Sequence, residues 1–272
     1  MKRFLGFLLA VLCVCSLPAC ALALESSQYS YSVDAEGNAA VTGYLGSFEN
    51  VVIPNEINGH TVTAIAPHAF EGNTDVRSVF LPDSIISVGE FAFSACSNME
   101  ELHLSESLET IDKWGFFHCA RLKELELPES LQSIGEYAFA ECLELASVTM
   151  NGGITELGNY AFEACSALKS VVLPETLETI GDYAFASCMN LKDISIPSSV
   201  THIGALAFAN NLHLKQLIIP PRTVLGNIAF VHCDYLTLYV QKGSPAEKHA
   251  RSCRVSYECY EDYDEFIKNQ AA

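Results

Sequence analysis

The stretch Ile134–Leu145, which reads Ile-Gly-Glu-Tyr-Ala-Phe-Ala-Glu-Cys-Leu-Glu-Leu, returns as Ile180–Leu191 with the same isoleucine, glycine, Tyr-Ala-Phe triplet, cysteine and final leucine. One series of phenylalanines marks the repeat, with steps of 23 residues and a last step of 22. The series is Phe70, Phe93, Phe116, Phe139, Phe162, Phe185, Phe208 and Phe230. Self-similarity at a period of roughly 20 to 50 residues is typical of a solenoid, in which each repeat forms one rung. The sequence therefore predicts stacked rungs.

Within one rung, the apolar and polar residues predict a strand followed by two bends. Leu125 and Leu127 are separated by a polar residue, as on a strand with one buried face. Pro128 ends the strand because proline cannot donate a ladder hydrogen bond, and Gly135 permits a tight bend. The compact segment Tyr137–Phe139 predicts a single helical or 3-10 turn.

The predicted fold is therefore an α/β-type solenoid of the leucine-rich repeat class with 23-residue rungs. We expect short parallel strands on its concave face and short helical or 3-10 turns on its outer side. Eight repeats occupy residues 65–240. Residues 24–64, which match the period only in part, are expected to form an N-terminal cap and a degenerate first rung, and residues 241–272 a C-terminal cap helix and an acidic tail.

The beginning of the chain has the features of a secretory signal. Residues 1–23 carry Lys2 and Arg3, then an apolar run, and end in the small-residue site Ala21-Leu22-Ala23. Export is the expectation, with the protein secreted or at the cell surface. The alternative site Leu17-Pro18-Ala19-Cys20 resembles a bacterial lipoprotein box, in which Cys20 would carry a lipid anchor. No later stretch is apolar for the roughly 18 residues that a membrane span needs, so no transmembrane segment is expected.

The rung pattern C-x-x-L-x-x-L-x-L-P-x-x-L-x-x-I-G-x-x-A-F is present in Cys165–Phe185, with Val171 at one leucine position. This pattern resembles the treponemal-type leucine-rich repeat of BspA-like surface or secreted proteins, and the resemblance covers Ile65–Val240. It implies an exported module that binds host matrix or other cells. It transfers no catalytic residue.

Composition and motifs argue against several classes of function. The net charge of −18 repels phosphate backbones, so no nucleic acid partner is expected. The eight histidines are scattered, and neither H-E-x-x-H nor G-x-S-x-G occurs. We therefore expect no catalytic residue, no metal site and no cofactor, and hence no enzyme.

Six cysteines recur at one rung position, three residues after the phenylalanine: Cys96, Cys119, Cys142, Cys165, Cys188 and Cys233. Asn73 and Asn211 stand at the same position in two other rungs. Asparagine can donate to backbone carbonyls at a bend but cannot form a disulfide, so the six cysteines are expected to be buried and reduced. Cys253 and Cys259 lie outside the repeats. A bridge between them would need the segment to turn back on itself, and the sequence leaves that question open.

The candidate ligand-binding residues form a row with one residue per rung, between two buried strand positions. They are Phe80, His103, Glu126, Thr149, Val172, Ser195, Ile218 and Tyr239. A flanking row holds the bases Arg77, Lys123, Lys169, Lys192 and Lys215. Aromatic and branched residues beside basic ones suit a protein ligand.

The expected function is that of an exported, non-enzymatic binding module of the adhesion type. Its concave surface would recognise an extracellular protein or glycan on host matrix or another cell surface. The alternative is a structural spacer or envelope component without a selective ligand. The sequence does not indicate an oligomeric state.

Overall fold

The computed structural model describes residues 27–270 of the chain. The predicted signal peptide and the candidate lipid attachment site at Cys20 lie outside these residues. Within the described range, no helix combines the length and the apolar character that crossing a membrane requires.

The entry to the solenoid is a small group of strands. Strand β1 (Tyr29–Val33) pairs antiparallel with β2 (Ala39–Tyr44), and β2 then pairs in parallel with β5 (His60–Ile65). The short strand β4 (Glu56–Ile57) lies antiparallel to β5. The change from antiparallel to parallel pairing at β2 starts the regular stack.

Each rung then contributes two parallel strands. The strands on the Leu-x-Leu motif are β3 (Asn50–Val52), β6 (Ser78–Phe80), β8 (Glu101–His103), β10 (Glu124–Leu127), β12 (Ser147–Met150), β14 (Ser170–Val172), β16 (Asp193–Ile194), β18 (Gln216–Ile218) and β20 (Thr237–Gln241). The two-residue strands that follow are β7 (Ser87–Val88), β9 (Thr110–Ile111), β11 (Ser133–Ile134), β13 (Glu156–Leu157), β15 (Thr179–Ile180), β17 (His202–Ile203) and β19 (Val224–Leu225).

These two sets of strands make two faces of the solenoid. The short strands extend β1-β2-β5 into one sheet in the order β7-β9-β11-β13-β15-β17-β19. The other set forms three consecutive sheets, β3-β6-β8, β10-β12-β14-β16 and β18-β20 with the later strand β21 (Ser256–Tyr260). We call this second surface the Leu-x-Leu face. Its register places each residue opposite its equivalent in the next rung, for example Leu125 opposite Val148.

The outer segment of each rung is a chain of single turns without a helix. Ala138 N–H donates to Gly135 O at 3.3 Å and Ala140 N–H to Tyr137 O at 3.2 Å, the pattern of 3-10-type turns. Tyr137 N–H instead donates to Asn159 O in the next rung, at 3.0 Å. Tyr137 has a φ of 57° and Glu141 a φ of 59°, and such left-handed residues prevent a continuous helix. The outer turns thus add a further set of hydrogen bonds between rungs.

The core contains one continuous column of phenylalanine rings from Phe70 to Phe230. Successive ring centroids lie 4.7–5.6 Å apart with interplanar angles of 2–20°. None of the eight rings is more than 2% exposed. Stacking therefore removes the apolar face of every rung from water, as the 23-residue period predicts.

The cysteine series lies beside this column, buried and reduced as predicted. Cys165 Sγ donates to the carbonyl oxygen of Phe139, in the preceding rung, at 3.2 Å. In the rung with asparagine, Asn211 Nδ2 donates to Phe185 O at 2.8 Å, which reproduces the same contact. Both side chains donate to the phenylalanine carbonyl of the preceding rung, so the buried polar group of each is hydrogen-bonded.

The C-terminal end continues past the last repeat. The predicted cap helix is α1 (Pro245–Cys253), which begins after the N-cap Ser244, whose hydroxyl accepts from Glu247 N–H at 3.1 Å. Strand β21 follows and pairs in parallel with β20. Cys253 and Cys259 are both free thiols. The predicted acidic tail contains a second helix, α2 (Tyr263–Gln270).

Candidate functional site

The structure places all eight predicted binding residues on the Leu-x-Leu face, where each is exposed or half-buried. Strand pairing puts Phe80 opposite His103 and Thr149 opposite Val172. Val172 is 55% exposed, although Val171 before it and Leu173 after it are buried. Ser195 directly follows β16 and is also exposed. We call these eight residues the outward column.

Helix α2 contacts the C-terminal end of the outward column. The ring of Phe266 lies 5.4 Å from the ring of Tyr239 and 5.0 Å from that of Tyr260. Tyr260 is buried, and its hydroxyl donates to Ile219 O at 2.7 Å. Tyr239 is thus occupied by an internal contact, and the accessible part of the column ends near Ile218.

A second column of side chains lies beside the outward column, with one residue per rung. It consists of Glu49, Arg77, Glu100, Lys123, Ala146, Lys169, Lys192 and Lys215, and we call it the charge column. Backbone hydrogen bonds join its members. Arg77 N–H donates to Glu49 O at 2.6 Å, and Lys192 N–H donates to Lys169 O at 3.1 Å. The charge column therefore follows the stacking of the rungs directly.

In the first half of the charge column, acids and bases alternate and form ion pairs. Arg77 Nε lies 3.0 Å from Glu49 Oε2, and Arg77 Nη1 lies 3.4 Å from Glu100 Oε1. Lys123 Nζ contacts the other carboxylate oxygen of Glu100. The hydrogen bond from Lys123 is the main reason why the pKa of Glu100 is lowered from its ordinary value. This half of the column is neutralised internally.

In the second half, three bases follow one another in successive rungs. Lys169, Lys192 and Lys215 are exposed, and none of them is ion-paired with a residue of the described range. The five bases were predicted from the sequence, whereas Glu49 and Glu100 were not. Glu100 stands 23 residues from both Arg77 and Lys123, so the period itself carries the signal that could have found it.

A series of aromatic rings on the outer turns is a separate surface feature. It contains His68, Phe91, Trp114, Tyr137, Tyr160 and Tyr183, with ring centroids 4.0–5.7 Å apart. Each inner ring stacks on the ring before and after it, so only ring edges face solvent. This arrangement stabilises the turns and offers no free aromatic surface along its length.

Two further features of the described chain bear on possible chemistry: its potential metal ligands and a cavity near its C-terminal end. No group of three or more His, Cys, Asp or Glu residues between positions 27 and 270 is placed to hold a metal ion. A cavity of about 320 Å³ lies between the last rung and helix α1, with Phe230, Cys233, Cys253 and Arg254 in its lining. Burial raises the pKa of the Cys233 thiol to about 11, which keeps it protonated and unreactive at neutral pH.

Comparisons with known proteins agree with this geometry. The family model for the BspA type leucine-rich repeat region matches residues 43–169 and 109–237 in six copies. A leucine-rich repeat protein of T. pallidum (TpLRR) is similar in structure, with 27% identity, a TM-score of 0.66, and coverage of 85% of this chain and 96% of that chain. A leucine-rich repeat protein from Bacteroides ovatus has 25% identity and a TM-score of 0.54, with coverage of 78% and 70%. No curated protein matches the chain. Because the family match spans more than half of its residues, this chain belongs to the BspA-type leucine-rich repeat family.

Proposed function

We propose that this protein is an exported, non-enzymatic binding module that recognises an extracellular protein through the Leu-x-Leu face. The observation that carries the proposal is the outward column, which displays one solvent-facing side chain per rung on a regular hydrogen-bonded ladder. Exposed apolar residues on a rigid surface are typical of protein-binding sites. Family membership supports a binding role in general, and the ligand is part of the proposal.

The backbone of the ladder favours recognition of a folded or rigid partner. Parallel strands with matched register hold Thr149 opposite Val172 and Ile218 opposite Tyr239. Such side chains lose little further freedom when a ligand binds, which reduces the entropic cost of association. A passive spacer would have no need of an exposed valine at the centre of this face.

Binding is tested with the full chain immobilised and a panel of purified matrix proteins and matrix glycans passed over it. The face variant combines Phe80→Ser, Val172→Ser and Ile218→Ser. We expect it to bind its protein ligand at least about ten-fold more weakly than the parent. The far-UV circular dichroism spectrum and Tm should stay close to those of the parent.

The matched control combines Leu143→Ser, Met189→Ser and Leu212→Ser, which replaces three apolar residues of the outer bends that are 42–45% exposed. It should change affinity by less than about two-fold, because these side chains lie outside the strands of the Leu-x-Leu face. Equal losses in the two variants would contradict a site on this face. The absence of any saturable ligand in the panel would support the spacer function instead.

Export is the second part of the proposal and rests on the signal-like residues 1–23. Mass spectrometry of the N-terminus of the protein isolated from its own cells is the direct measurement. Cleavage after Ala23 is the expected result, and a diacylglyceryl group on Cys20 would show surface anchoring. A chain that retains residues 1–23 would contradict export.

A further inference from the structure

We propose that the rungs carrying Lys169, Lys192 and Lys215 bind an acidic helix of the partner protein. This inference rests on the proposed function and names the part of the Leu-x-Leu face and the chemistry of its ligand. Three observations carry it: the sequence of charges along the charge column, the residues beside the three lysines, and the helix that already lies on this face.

The fold does not require charges of the same sign at successive positions of the charge column. Adjacent parallel strands lie about 4.8 Å apart, so equivalent side chains of successive rungs are close neighbours. Like charges placed opposite one another across strands are destabilising, whereas opposite charges are stabilising. Glu49, Arg77, Glu100 and Lys123 alternate in sign and form ion pairs. Lys169, Lys192 and Lys215 occupy the same column without an acid between them.

The electrostatic repulsion among the three lysines is relieved when an anionic ligand binds. The whole chain has a net charge of −18, so three consecutive unpaired bases form a local exception on an acidic molecule. Such a patch attracts an acidic partner. The three lysines therefore indicate an acidic ligand.

The outward column follows the charge column in the same rungs, separated from it by the row Ser170, Asp193 and Gln216. Val172 stands three residues after Lys169 and Ile218 three residues after Lys215, and Ser195 lies between them. The patch thus combines a basic row with a shallow apolar row. An amphipathic helix with acidic and apolar stripes side by side is complementary to both rows.

The chain itself provides an example of a helix on this face. Helix α2 places Phe266 on Tyr239, and its half-buried residues Tyr263, Phe266 and Ile267 have the i, i+3, i+4 spacing of one helix face. Asp264 and Glu265 of the same helix are exposed. The C-terminal end of the Leu-x-Leu face therefore accepts a helix that carries acidic residues and an aromatic anchor, Phe266, and the lysine rungs continue that surface.

Spacing favours a helix over an extended peptide. Carboxylates at i and i+4 of a helix project from Cβ atoms about 5–6 Å apart, close to the separation of the rungs. Same-side residues of an extended strand are separated by about 6.6–6.8 Å, and the mismatch grows with every lysine. Three lysines on successive rungs can therefore each meet one carboxylate of a helix laid along the stack.

The test uses the full chain and a fluorescein-labelled, alanine-based helical peptide with glutamates at i, i+4 and i+7 and adjacent Phe and Ile. Its control is the same peptide with glutamine in place of glutamate. In fluorescence anisotropy at low salt, the glutamate peptide should bind at least about ten-fold more tightly. Added salt should reduce the difference because the charges are near the surface.

Lys192→Glu is the decisive variant because it changes the three lysines into the alternating pattern of the first half. We expect it to weaken binding of the glutamate peptide by at least about ten-fold and to raise Tm. Lys248→Glu on helix α1 changes net charge equally at an exposed residue and should alter affinity by less than about two-fold. Lys192→Gln is the second variant, which should also weaken binding without adding an acid.

Unchanged peptide affinity in both Lys192 variants would overturn the inference, as would failure of the glutamate peptide to bind at all. Heparin is measured in parallel. Tight heparin binding that depends on Lys192, with no peptide binding, would show a sulfated glycan site and also overturn it. The proposed function is tested separately. If the variant with Phe80, Val172 and Ile218 replaced loses matrix-protein binding, the proposed function is supported whether or not the acidic helix binds.

Discussion

Phe139 and Phe162 stack with their ring centroids 5.4 Å apart and their planes inclined by 5°. The two residues are 23 positions apart in the chain, so this contact joins equivalent positions of two successive rungs. Each ring is covered on both faces by the rings of the neighbouring rungs. No single rung could bury its own phenylalanine.

Phe162→Ala should therefore lower the free energy of unfolding by about 3–5 kcal/mol, because it leaves a cavity between two stacked rings. Guanidinium chloride denaturation followed by circular dichroism measures the change. Phe48→Ala is the control, since Phe48 is 59% exposed and should change stability by no more than about 0.5 kcal/mol. Similar losses in the two variants would contradict the role of the phenylalanine column.

Gly181 allows two rungs to approach closely, because a Cβ atom there would lie 2.7 Å from Leu157 O. We expect Gly181→Ala to destabilise the protein by about 1–3 kcal/mol through overpacking of backbone against backbone. Asp112 occupies the equivalent position of another rung and already carries a Cβ atom. Asp112→Ala should thus leave Tm nearly unchanged. A Gly181→Ala variant with the parent's Tm would mean that the rungs can separate without cost.

Ala164 has a left-handed backbone with a φ of 57°, and Gly72 stands at the same rung position with a φ of 69°. Replacing Ala164 by glycine removes the steric strain of the Cβ atom but adds entropy to the unfolded chain. The net expectation is a gain in stability of up to about 1 kcal/mol. Ala167→Gly, in the same rung at a residue without positive φ, should destabilise by about 0.5–1 kcal/mol. Thermal denaturation of both variants provides the comparison. Changes in Tm of the same sign in the two variants would contradict a strained backbone at Ala164.

The buried thiols should be protected from alkylation. Burial raises the pKa of Cys96 to about 12, so almost no thiolate forms near pH 8. Among the eight described cysteines, we expect iodoacetamide to label only Cys253 and Cys259 in the native protein. Peptide mass spectrometry before and after unfolding shows which thiols react. Native labelling of Cys165 would contradict the bend geometry.

Glu100 should give a small pH dependence to stability. Its pKa is lowered from 4.5 in the folded protein, first through the hydrogen bond from Lys123, so its contribution is present above that value. The contribution is lost as the pH falls through the lower folded pKa. The Tm difference between the parent and Glu100→Gln should therefore be larger at neutral pH than at about pH 3. A difference that grows on acidification would contradict the ion pairs of the charge column.

The stacked architecture was predictable because burial recurs at a fixed spacing. The phenylalanine and cysteine series record the core directly, and the substitution of Asn211 for cysteine indicated a hydrogen-bonding role that the structure confirms. The short strand Ser133–Ile134 was not predicted, because two residues show no alternation. The segment Tyr137–Phe139 was predicted as a helical or 3-10 turn, and its hydrogen bonds are of the 3-10 type. The left-handed conformation of Tyr137, whose N–H donates to Asn159 O in the next rung, was not predicted. Such bonds between rungs cannot be read from local preference.

For the candidate site, the sequence predicted the outward column but not what surrounds it. The bases were recognised without Glu100, so the difference between the paired and unpaired halves was missed. Tyr239 was predicted as a ligand contact, whereas the ring of Phe266 packs against it. The i, i+3, i+4 spacing of Tyr263, Phe266 and Ile267 was the signal for helix α2. The many acids around these residues instead favoured the prediction of an acidic tail.

The hydrogen bonds of the outer turns and of both strand sets join each rung only to the rungs directly before and after it. Duplication or loss of one 23-residue unit by recombination would therefore leave every remaining contact intact. The length of the molecule and the number of lysines it presents can change together in one genetic step. Proteins of this kind with more or fewer repeats would then bind longer or shorter acidic partners through the same row of lysines.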